Sequence, residues 1–95
     1  MTSVWDVASE AEPGDRIIRK GEKSDVENPK LSEVNRVILE RQKITVEADG
    51  PQGADVGFWV EKNGESHVWH GEDSMGPVDG VQLIDKNRYT RQFQR

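Results

Sequence analysis

The residues of this sequence with the most capacity for chemistry are two histidines that stand beside two acids. His67 and His70 are followed by Glu72 and Asp73, and imidazole and carboxylate groups are ligands of zinc. On a strand, however, positions three apart point to opposite faces, so the two imidazoles cannot hold one ion. The same separation prevents a Ser-His-Asp arrangement. We therefore expect no metal, no cofactor and no enzymatic activity, with His67 partly buried opposite Val60 and His70 in solvent.

A second candidate site is the C-terminal tail, residues 85–95. It combines four basic residues with two aromatic ones, a mixture that can stack on bases while it contacts phosphates. These residues are Lys86, Arg88, Tyr89, Arg91, Phe93 and Arg95. Residues 86–95 carry a charge of +4 and residues 1–85 a charge of −9, so the rest of the chain repels phosphate. The competing interpretation, which we favour, is a short C-terminal helix or a further strand packed by Tyr89 and Phe93.

The third candidate is Trp59, whose surroundings depend on a β-hairpin over residues 55–71. Two runs rich in Val, Trp and Phe flank Asn63-Gly64, and this pair favours a two-residue type I′ turn because both residues must take positive φ. The turn predicts these opposed pairs: Lys62 with Glu65, Glu61 with Ser66, Val60 with His67, Trp59 with Val68, Phe58 with Trp69 and Gly57 with His70. The two resulting faces carry Phe58, Val60 and Trp69 on one side and Gly57, Trp59 and Val68 on the other.

One of these faces lines the core, and the other is either covered or open to a partner. On an open face, Trp59 with Val68 would be a binding anchor, because aromatic residues dominate interface energies. The alternative, which we favour, is that the N-terminal segment 1–12 folds over Trp59 as a lid, since apolar patches of that kind are uncommon on monomers. The apolar side chains of this lid are Val4, Trp5 and Val7.

Length and composition limit what all three sites can be. Ninety-five residues form one domain with room for one core, and without cysteine neither disulfides nor thiolate metal sites stabilise it. Eleven Val and five Ile against three Leu favour strands over helices. The net charge of −5 argues against tight non-specific binding to DNA. No apolar run approaches roughly 20 residues and the N-terminus lacks the features of a signal peptide, so we expect a cytoplasmic protein without membrane contact.

The beginning of the chain is predicted to form a short helix and a first strand. Residues 2–12 have a possible helical pattern with Thr2 or Ser3 as the N-cap. Pro13-Gly14-Asp15 ends this helix, because proline and glycine interrupt helical hydrogen bonding. Ile17-Ile18 then makes a strand so short that it suits a sheet edge or a barrel opening.

The middle of the chain is predicted to contain a polar loop and two strands. Residues 21–33 are loop-like, with Asn28-Pro29 as a turn. Residues 30–42 fit either a helix or a strand over 34–41, since apolar positions recur at both spacings. The clean alternation of the next segment, residues 44–48, favours the strand. A turn at Gln42-Lys43 then predicts three opposed pairs: Leu39 with Val46, Val37 with Ala48 and Arg36 with Asp49.

The remaining elements complete a chain of short strands. Residues 50–53 are a turn into the hairpin, residues 72–79 are a loop, and residues 80–85 alternate as a last strand. Six short strands with turns every 8 to 12 residues or so predict a mainly β fold, either a small barrel or a twisted antiparallel sheet, with a possible short N-terminal helix.

The order of these elements across residues 13–84 is itself informative. PGDRII at residues 13–18, a long polar loop, and VILERQKITVEADGPQG leading into the hairpin follow in an order that resembles the SH3-like barrels of the KOW and Tudor type. The resemblance implies a barrel domain over residues 13–84, between the segment 1–12 and the tail 85–95. Such barrels commonly bind nucleic acid, ribosomal or transcription components, or peptides, so the resemblance does not fix one function.

The sequence therefore predicts a binding module without enzymatic activity, whose partner is a protein or a nucleic acid. The contact residues would be Trp59, Val68, Lys86, Arg88, Tyr89, Arg91 and Phe93. One alternative is a structural or accessory domain that forms a homo-oligomer through an edge strand or the Trp59 face. The other is a metal-dependent protein built on His67 and His70.

Overall fold

The structure, a computed structural model, describes residues 3–23, 31–50 and 53–85. Within them it has one helix and seven strands: α1 (Val4–Glu10), β1 (Arg16–Gly21), β2 (Ser32–Leu39), β3 (Lys43–Asp49), β4 (Asp55–Glu61), β5 (Ser66–His70), β6 (Asp73–Ser74) and β7 (Val78–Asp85). Some of the predictions concern residues outside these ranges. They are the tail residues Lys86, Arg88, Tyr89, Arg91 and Phe93, the turn at Asn28-Pro29, and Pro51-Gln52 in the turn at 50–53.

The helix α1 confirms the predicted N-terminal helix with Ser3 as its N-cap. The Ser3 hydroxyl accepts a hydrogen bond from the Asp6 amide at 3.1 Å, and the Asp6 carboxylate accepts one from the Ser3 amide at 3.4 Å. This capping box satisfies amides that the first helical turn leaves without backbone partners. The helix ends at Glu10 and buries Val7 and Ala8.

All seven strands belong to one antiparallel sheet with the order β6-β5-β4-β3-β2-β1-β7. The first six strands follow one another as a meander, and β7 crosses to the far edge, where it pairs with β1. A mainly β fold with a short N-terminal helix is thus confirmed. Of the two predicted positions of the first strand, the sheet edge is wrong, because pairing with both β2 and β7 makes β1 an internal strand.

Two predicted loops are shorter than the sequence indicates. At residues 21–33, β1 extends to Gly21 and β2 begins at Ser32. Within residues 72–79, the two residues of β6 pair with β5, and β7 already begins at Val78. In both places the strands lengthen because a neighbouring strand is present to accept their hydrogen bonds.

The two edges of the sheet are joined by residues 75–77. The Met75 amide donates to the Val68 carbonyl at 2.8 Å, which ties this segment to β5. The Lys23 amide donates to the Met75 carbonyl at 2.9 Å, which ties the same segment to the chain leaving β1. Two further backbone hydrogen bonds of 2.9 Å join the same elements. The sheet is therefore curled around its interior.

The strand β2 confirms the strand interpretation of residues 34–41. It turns into β3 at Arg41-Gln42, where the Glu40 amide donates to the Lys43 carbonyl at 2.8 Å, so the turn predicted at Gln42-Lys43 is wrong. The observed pairs are Arg36 with Glu47, Val37 with Val46 and Leu39 with Ile44. A shift of two residues leaves each side chain on its predicted face, because the faces alternate with a period of two.

The strands β4 and β5 confirm the predicted hairpin, but its register differs by one residue. The Gly64 amide donates to the Glu61 carbonyl at 2.9 Å, and the Glu61 amide donates to the Glu65 carbonyl at 2.7 Å. Gly64 has a φ of +98°, so the loop has three residues and ends in a glycine bulge. The observed pairs are Val56 with His70, Gly57 with Trp69, Phe58 with Val68, Trp59 with His67 and Val60 with Ser66.

This shift of one residue exchanges the two faces of β5, because neighbouring residues point to opposite sides. Val68 therefore packs with Phe58 and Val60 in the core, where it is 1% exposed. Trp69 leaves the predicted core side and joins Trp59 on the outside. The prediction that Val68 shares a partner-binding face with Trp59 is wrong for this reason.

The core lies inside the curled sheet and against α1. Its buried members are Ala8, Ala11, Ile17, Val34, Ile44, Val46, Phe58, Val60 and Val68. Val4 and Trp5 of the helix pack against this cluster, and Trp59 points away from it. The N-terminal segment thus covers the core, and the prediction that it covers Trp59 is wrong. In the described ranges, no helix has the length and apolar character needed to cross a bilayer.

Candidate binding face

Three aromatic side chains lie together on the outer side of the sheet, and we call them the outer aromatic face: Trp59, His67 and Trp69. They are there because the observed register opposes Trp59 to His67 and Trp69 to Gly57. The alternate residues of the same strands, Phe58 and Val68, already fill the core. Each of the three aromatic residues is half-buried, and solvent-facing positions of an antiparallel sheet are ordinarily polar.

Trp59 is flanked by side chains from the strands on either side of it. The Lys43 Nζ of β3 lies 4.6 Å from the centroid of the Trp59 ring. The His67 ring of β5 is stacked on Trp59, with 5.8 Å between centroids and 20° between planes. A cation–π contact and an aromatic pair each contribute about 0.5 to 1.5 kcal/mol. These contacts on either side restrain the orientation of the Trp59 ring.

Trp69 lies across a glycine of the neighbouring strand. A Cβ placed on Gly57 would stand 2.5 Å from Cζ2 and 2.7 Å from Cη2 of Trp69. The six-membered part of the ring therefore rests on the Gly57 backbone, and a glycine in a strand allows this close approach. In the described part of the chain, the Trp69 ring has no stacking or cation–π partner.

Behind Trp69, a buried arginine reaches its backbone from the inside of the sheet. The Arg19 Nη2 donates to the Trp69 carbonyl at 3.2 Å, and Arg19 is only 9% exposed. Its Nε has no hydrogen-bond partner among the described residues. Burial lowers the pKa of the Arg19 guanidinium from its ordinary value, because the charged form is poorly solvated there. Arg19 thus links β1 to the strand that carries His67 and Trp69.

Carboxylates border the outer aromatic face. Glu47 is opposite Gly57, and its Oε2 is buried 3.6 Å from the Arg36 Nε, with no hydrogen bond from any described residue. One row further along the sheet, three exposed acids stand opposite one another on β2, β3 and β4, and we call them the acidic row: Glu33, Asp49 and Asp55. The Asn35 Nδ2 donates to the Asp49 Oδ1 at 3.0 Å. Arg16 continues the row on β1, opposite Glu33.

The histidines occupy different surroundings, as their spacing predicts. His67 is stacked on Trp59, so the prediction that it lies opposite Val60 is wrong by the same one-residue shift. His70 is exposed at the end of β5, opposite Asp73. No group of three or more His, Cys, Asp or Glu residues with metal-binding geometry occurs in the parts of the chain that the structure describes.

Comparison with known proteins adds no assignment. No family model, no curated protein and no solved structure matches this chain. The resemblance to SH3-like barrels of the KOW and Tudor type stays a prediction, and the function has to be argued from the outer aromatic face itself.

Sequence reasoning placed Gly57 and Trp59 on one face but missed Lys43 and Trp69 as parts of the same surface, and so missed the contact of Trp69 with Gly57. A signal for Gly57 is present in the sequence, since an isolated glycine inside an apolar strand indicates a bulge or a close approach by another group. A three-residue loop is also an established alternative at Asn-Gly. Together, these two observations would have placed Trp69 over Gly57.

Proposed function

We propose that this protein is a non-enzymatic binding module that holds a polypeptide partner on the outer aromatic face. The observation that carries the proposal is the position of Trp59, His67 and Trp69 on the side of the sheet that does not face the core. Aromatic side chains at the centre of a surface are the residues from which interfaces gain most of their energy.

Preorganisation of the face supports a binding role over a purely packing role. Lys43 and His67 fix Trp59, and Gly57 supports Trp69 from below. Binding therefore costs little side-chain entropy, which is a main obstacle to affinity at flexible surfaces. The core does not need these rings, because Phe58 and the aliphatic residues of the core cluster close it without them.

The architecture belongs to the same proposal. We infer that the curled sheet is a small barrel of the SH3-like type, with residues 75–77 closing it between β5 and the end of β1. The hydrogen bonds of Met75 to Val68 and of Lys23 to Met75 support this inference. The outer aromatic face then lies on the outside of the barrel wall, where a partner has direct access.

A peptide selection tests the binding role and does not require an identified partner. Displayed random peptides are selected on the wild-type protein, and the enriched peptides are synthesised and titrated by NMR. We expect amide shifts concentrated in β4 and β5, and at least a tenfold loss of affinity, roughly 1.4 kcal/mol, in Trp59→Ala and Trp69→Ala.

Leu39→Ala is the matched control, because Leu39 is apolar and 69% exposed but does not belong to the outer aromatic face. Peptides selected on the wild type should bind this variant unchanged. Thermal denaturation of each variant separates lost binding from lost folding. Selected peptides that shift residues elsewhere, or that bind Trp59→Ala and Trp69→Ala as well as the wild type, would rule out this face.

A second candidate function is self-association through the edge strand β7. In the described part of the chain, this eight-residue strand pairs with β1 only, and Ile84 on it is 44% exposed. The Val78 amide of this strand donates to the Ser66 Oγ at 3.0 Å, and an open strand edge beyond it is a template for pairing with another strand. Light scattering at increasing concentration should then show a rising mass that Ile84→Lys abolishes. A constant monomer mass would remove this candidate.

A further inference from the structure

On its outward side, the Trp69 ring has no stacking or cation–π partner among the described residues. The other side of its ring rests on Gly57. Trp59, in contrast, already has Lys43 and His67 against it. Because a tryptophan ring attracts cations through the negative potential of its π face, the Lys43 contact shows which kind of group this surface accepts.

The segment that contains β3 to β6 is acidic. Residues 43–74 contain seven Asp or Glu against two Lys, a net charge of −5 with histidines neutral, while Arg36 lies beside Glu47 and Arg19 donates to the Trp69 carbonyl. Lys43 is engaged with Trp59, and the other lysine, Lys62, lies in the hairpin loop. The Trp69 ring thus lies one row from the carboxylates of Asp49 and Asp55, and an aromatic ring next to carboxylates is complementary to a cationic group.

Two of these carboxylates are placed at a cost to the fold. Asp49 and Asp55 stand directly opposite each other on β3 and β4. Like charges in this position are destabilising, by about 0.2 to 1 kcal/mol. The nearest cation registered in the same row of described residues is Arg16, two strands away from Asp49. A bound cation between the two carboxylates would remove the repulsion.

The distance between the Trp69 ring and the acidic row matches the side-chain spacing of an extended peptide. Gly57, over which Trp69 lies, and Asp55 are two residues apart on β4, which corresponds to about 7 Å along the strand. In an extended peptide, side chains two residues apart point the same way at the same spacing. One side chain can therefore lie on Trp69 while the next alternate one reaches the acidic row.

We propose that the partner segment is an extended basic peptide, which rests on the proposed binding function of the same face. One arginine or lysine side chain lies on the outward side of Trp69, and a second, two residues away in the peptide, lies between Asp49 and Asp55. The same acidic surroundings repel the phosphates of a nucleic acid. A basic polypeptide is therefore the partner class that this face fits.

Synthetic peptides titrated into the full chain by calorimetry test this proposal. The probe alternates arginine with serine. A second peptide has the same composition with the arginines contiguous, a third carries glutamine in place of arginine, and a single-stranded oligothymidylate represents nucleic acid. We expect the alternating peptide to bind best, to weaken as salt rises, and not to be displaced by the oligothymidylate.

Variants locate the two contacts. Trp69→Leu should weaken the alternating peptide about tenfold, because the cation–π contact is lost. Asp55→Asn should weaken it about threefold while the fold becomes no less stable, so this variant reports on binding even if Trp69→Leu unfolds. Glu65→Gln is the matched control, since it removes the same charge from an exposed position next to the hairpin loop and should leave the affinity unchanged.

The outcomes separate the two proposals. If neutral peptides from the selection bind the face while the alternating arginine peptide does not, the binding function stands and the basic partner is wrong. If Glu65→Gln weakens binding as much as Asp55→Asn, or if the oligothymidylate displaces the peptide, the assigned contacts are also wrong. If no peptide of any kind binds the outer aromatic face, both proposals fail.

Discussion

At the scale of single residues, Gly57 has the largest influence on the outer aromatic face, because Trp69 occupies the space of its missing side chain. A Cβ on Gly57 would meet the Val46 carbonyl oxygen and stand 2.5 Å from Cζ2 of Trp69. We expect Gly57→Ala to lower the free energy of unfolding by about 1 to 3 kcal/mol, since overpacking forces neighbours to move. Chemical denaturation measures this loss, and the indole signal of Trp69 in NMR spectra should shift.

A double-mutant cycle identifies which contact of Gly57 matters. In a Trp69→Ala background the ring is gone, so Gly57→Ala should lower the free energy of unfolding by less than it does in the wild type. We expect a coupling energy of about 1 kcal/mol between the two substitutions. An equal cost in both backgrounds would show that the Val46 carbonyl, and not the ring, is the obstacle. In that case Gly57 has no special relation to the outer aromatic face.

Arg19 poses the opposite situation, a charged side chain placed where an apolar one would fit. Among the described residues, its guanidinium has one hydrogen bond, to the Trp69 carbonyl, and an Nε without a partner. Replacing buried charged groups with apolar residues of similar volume is often neutral or stabilising. We expect Arg19→Met to keep or raise the free energy of unfolding, by up to about 2 kcal/mol. If urea denaturation shows a lower free energy of unfolding for Arg19→Met, the hydrogen bond to the Trp69 carbonyl outweighs the cost of desolvating the guanidinium.

The pH dependence of this effect follows from the lowered pKa of Arg19. A cation whose pKa is lower in the folded state destabilises the fold while it is charged, and the penalty is relieved only as pH rises through the folded-state pKa. Arginine stays protonated near neutral pH. The difference between wild type and Arg19→Met should therefore stay constant in the neutral range, and a difference that changes there would point to another titrating group.

At the scale of elements, the short helix α1 depends on its cap. Only seven residues long, it has too few internal hydrogen bonds to be stable alone. Ser3→Ala removes the acceptor of the Asp6 amide and should cost about 1 kcal/mol, seen as a lower thermal midpoint by circular dichroism. Ser9→Ala is the control, because the exposed Ser9 hydroxyl donates only to the Asp6 carbonyl within the helix. Equal losses in both variants would exclude a capping effect.

The strands show which structural features a local sequence pattern can predict. The alternation at Ile44, Val46 and Ala48 and the Asn-Gly pair were sufficient to predict β3 and the hairpin. The register of the strand pairs was not predicted correctly. It depends on the length of the connecting loop, and Asn63-Gly64 is compatible with loops of two or three residues. The error at β2 was harmless because it was two residues, whereas the error at β5 exchanged Val68 and Trp69 between core and surface.

At the scale of the whole molecule, the features that the sequence could not predict join distant parts of the chain. Arg19 meets Trp69 across the interior, and Lys23 meets Met75 where the sheet edges come together. The acidic row likewise assembles from three strands. No local sequence pattern predicts such long-range contacts, since each depends on the strand order and on the registers of several strand pairs at once.

The closure of the sheet depends on a close approach at Gly21. A Cβ on Gly21 would meet the Met75 carbonyl oxygen and stand 2.6 Å from its Cβ. We expect Gly21→Ala to push residues 75–77 away from β1 and to break the bond from Lys23 to Met75. In amide hydrogen exchange, protection of Lys23, whose amide donates to the Met75 carbonyl, should fall by at least about tenfold, while amides of β3 and β4 keep theirs.

Gly80→Ala is the matched control for this prediction, because a Cβ on Gly80 of β7 meets none of the described residues within 4 Å. It changes the same residue type in the strand that pairs with β1, opposite Lys20. Protection of Lys23 should therefore be unchanged in it. Loss of protection in β3 and β4 together with Lys23 would mean that Gly21→Ala unfolds the whole domain, and no loss at all would mean that residues 75–77 do not hold the sheet edges together.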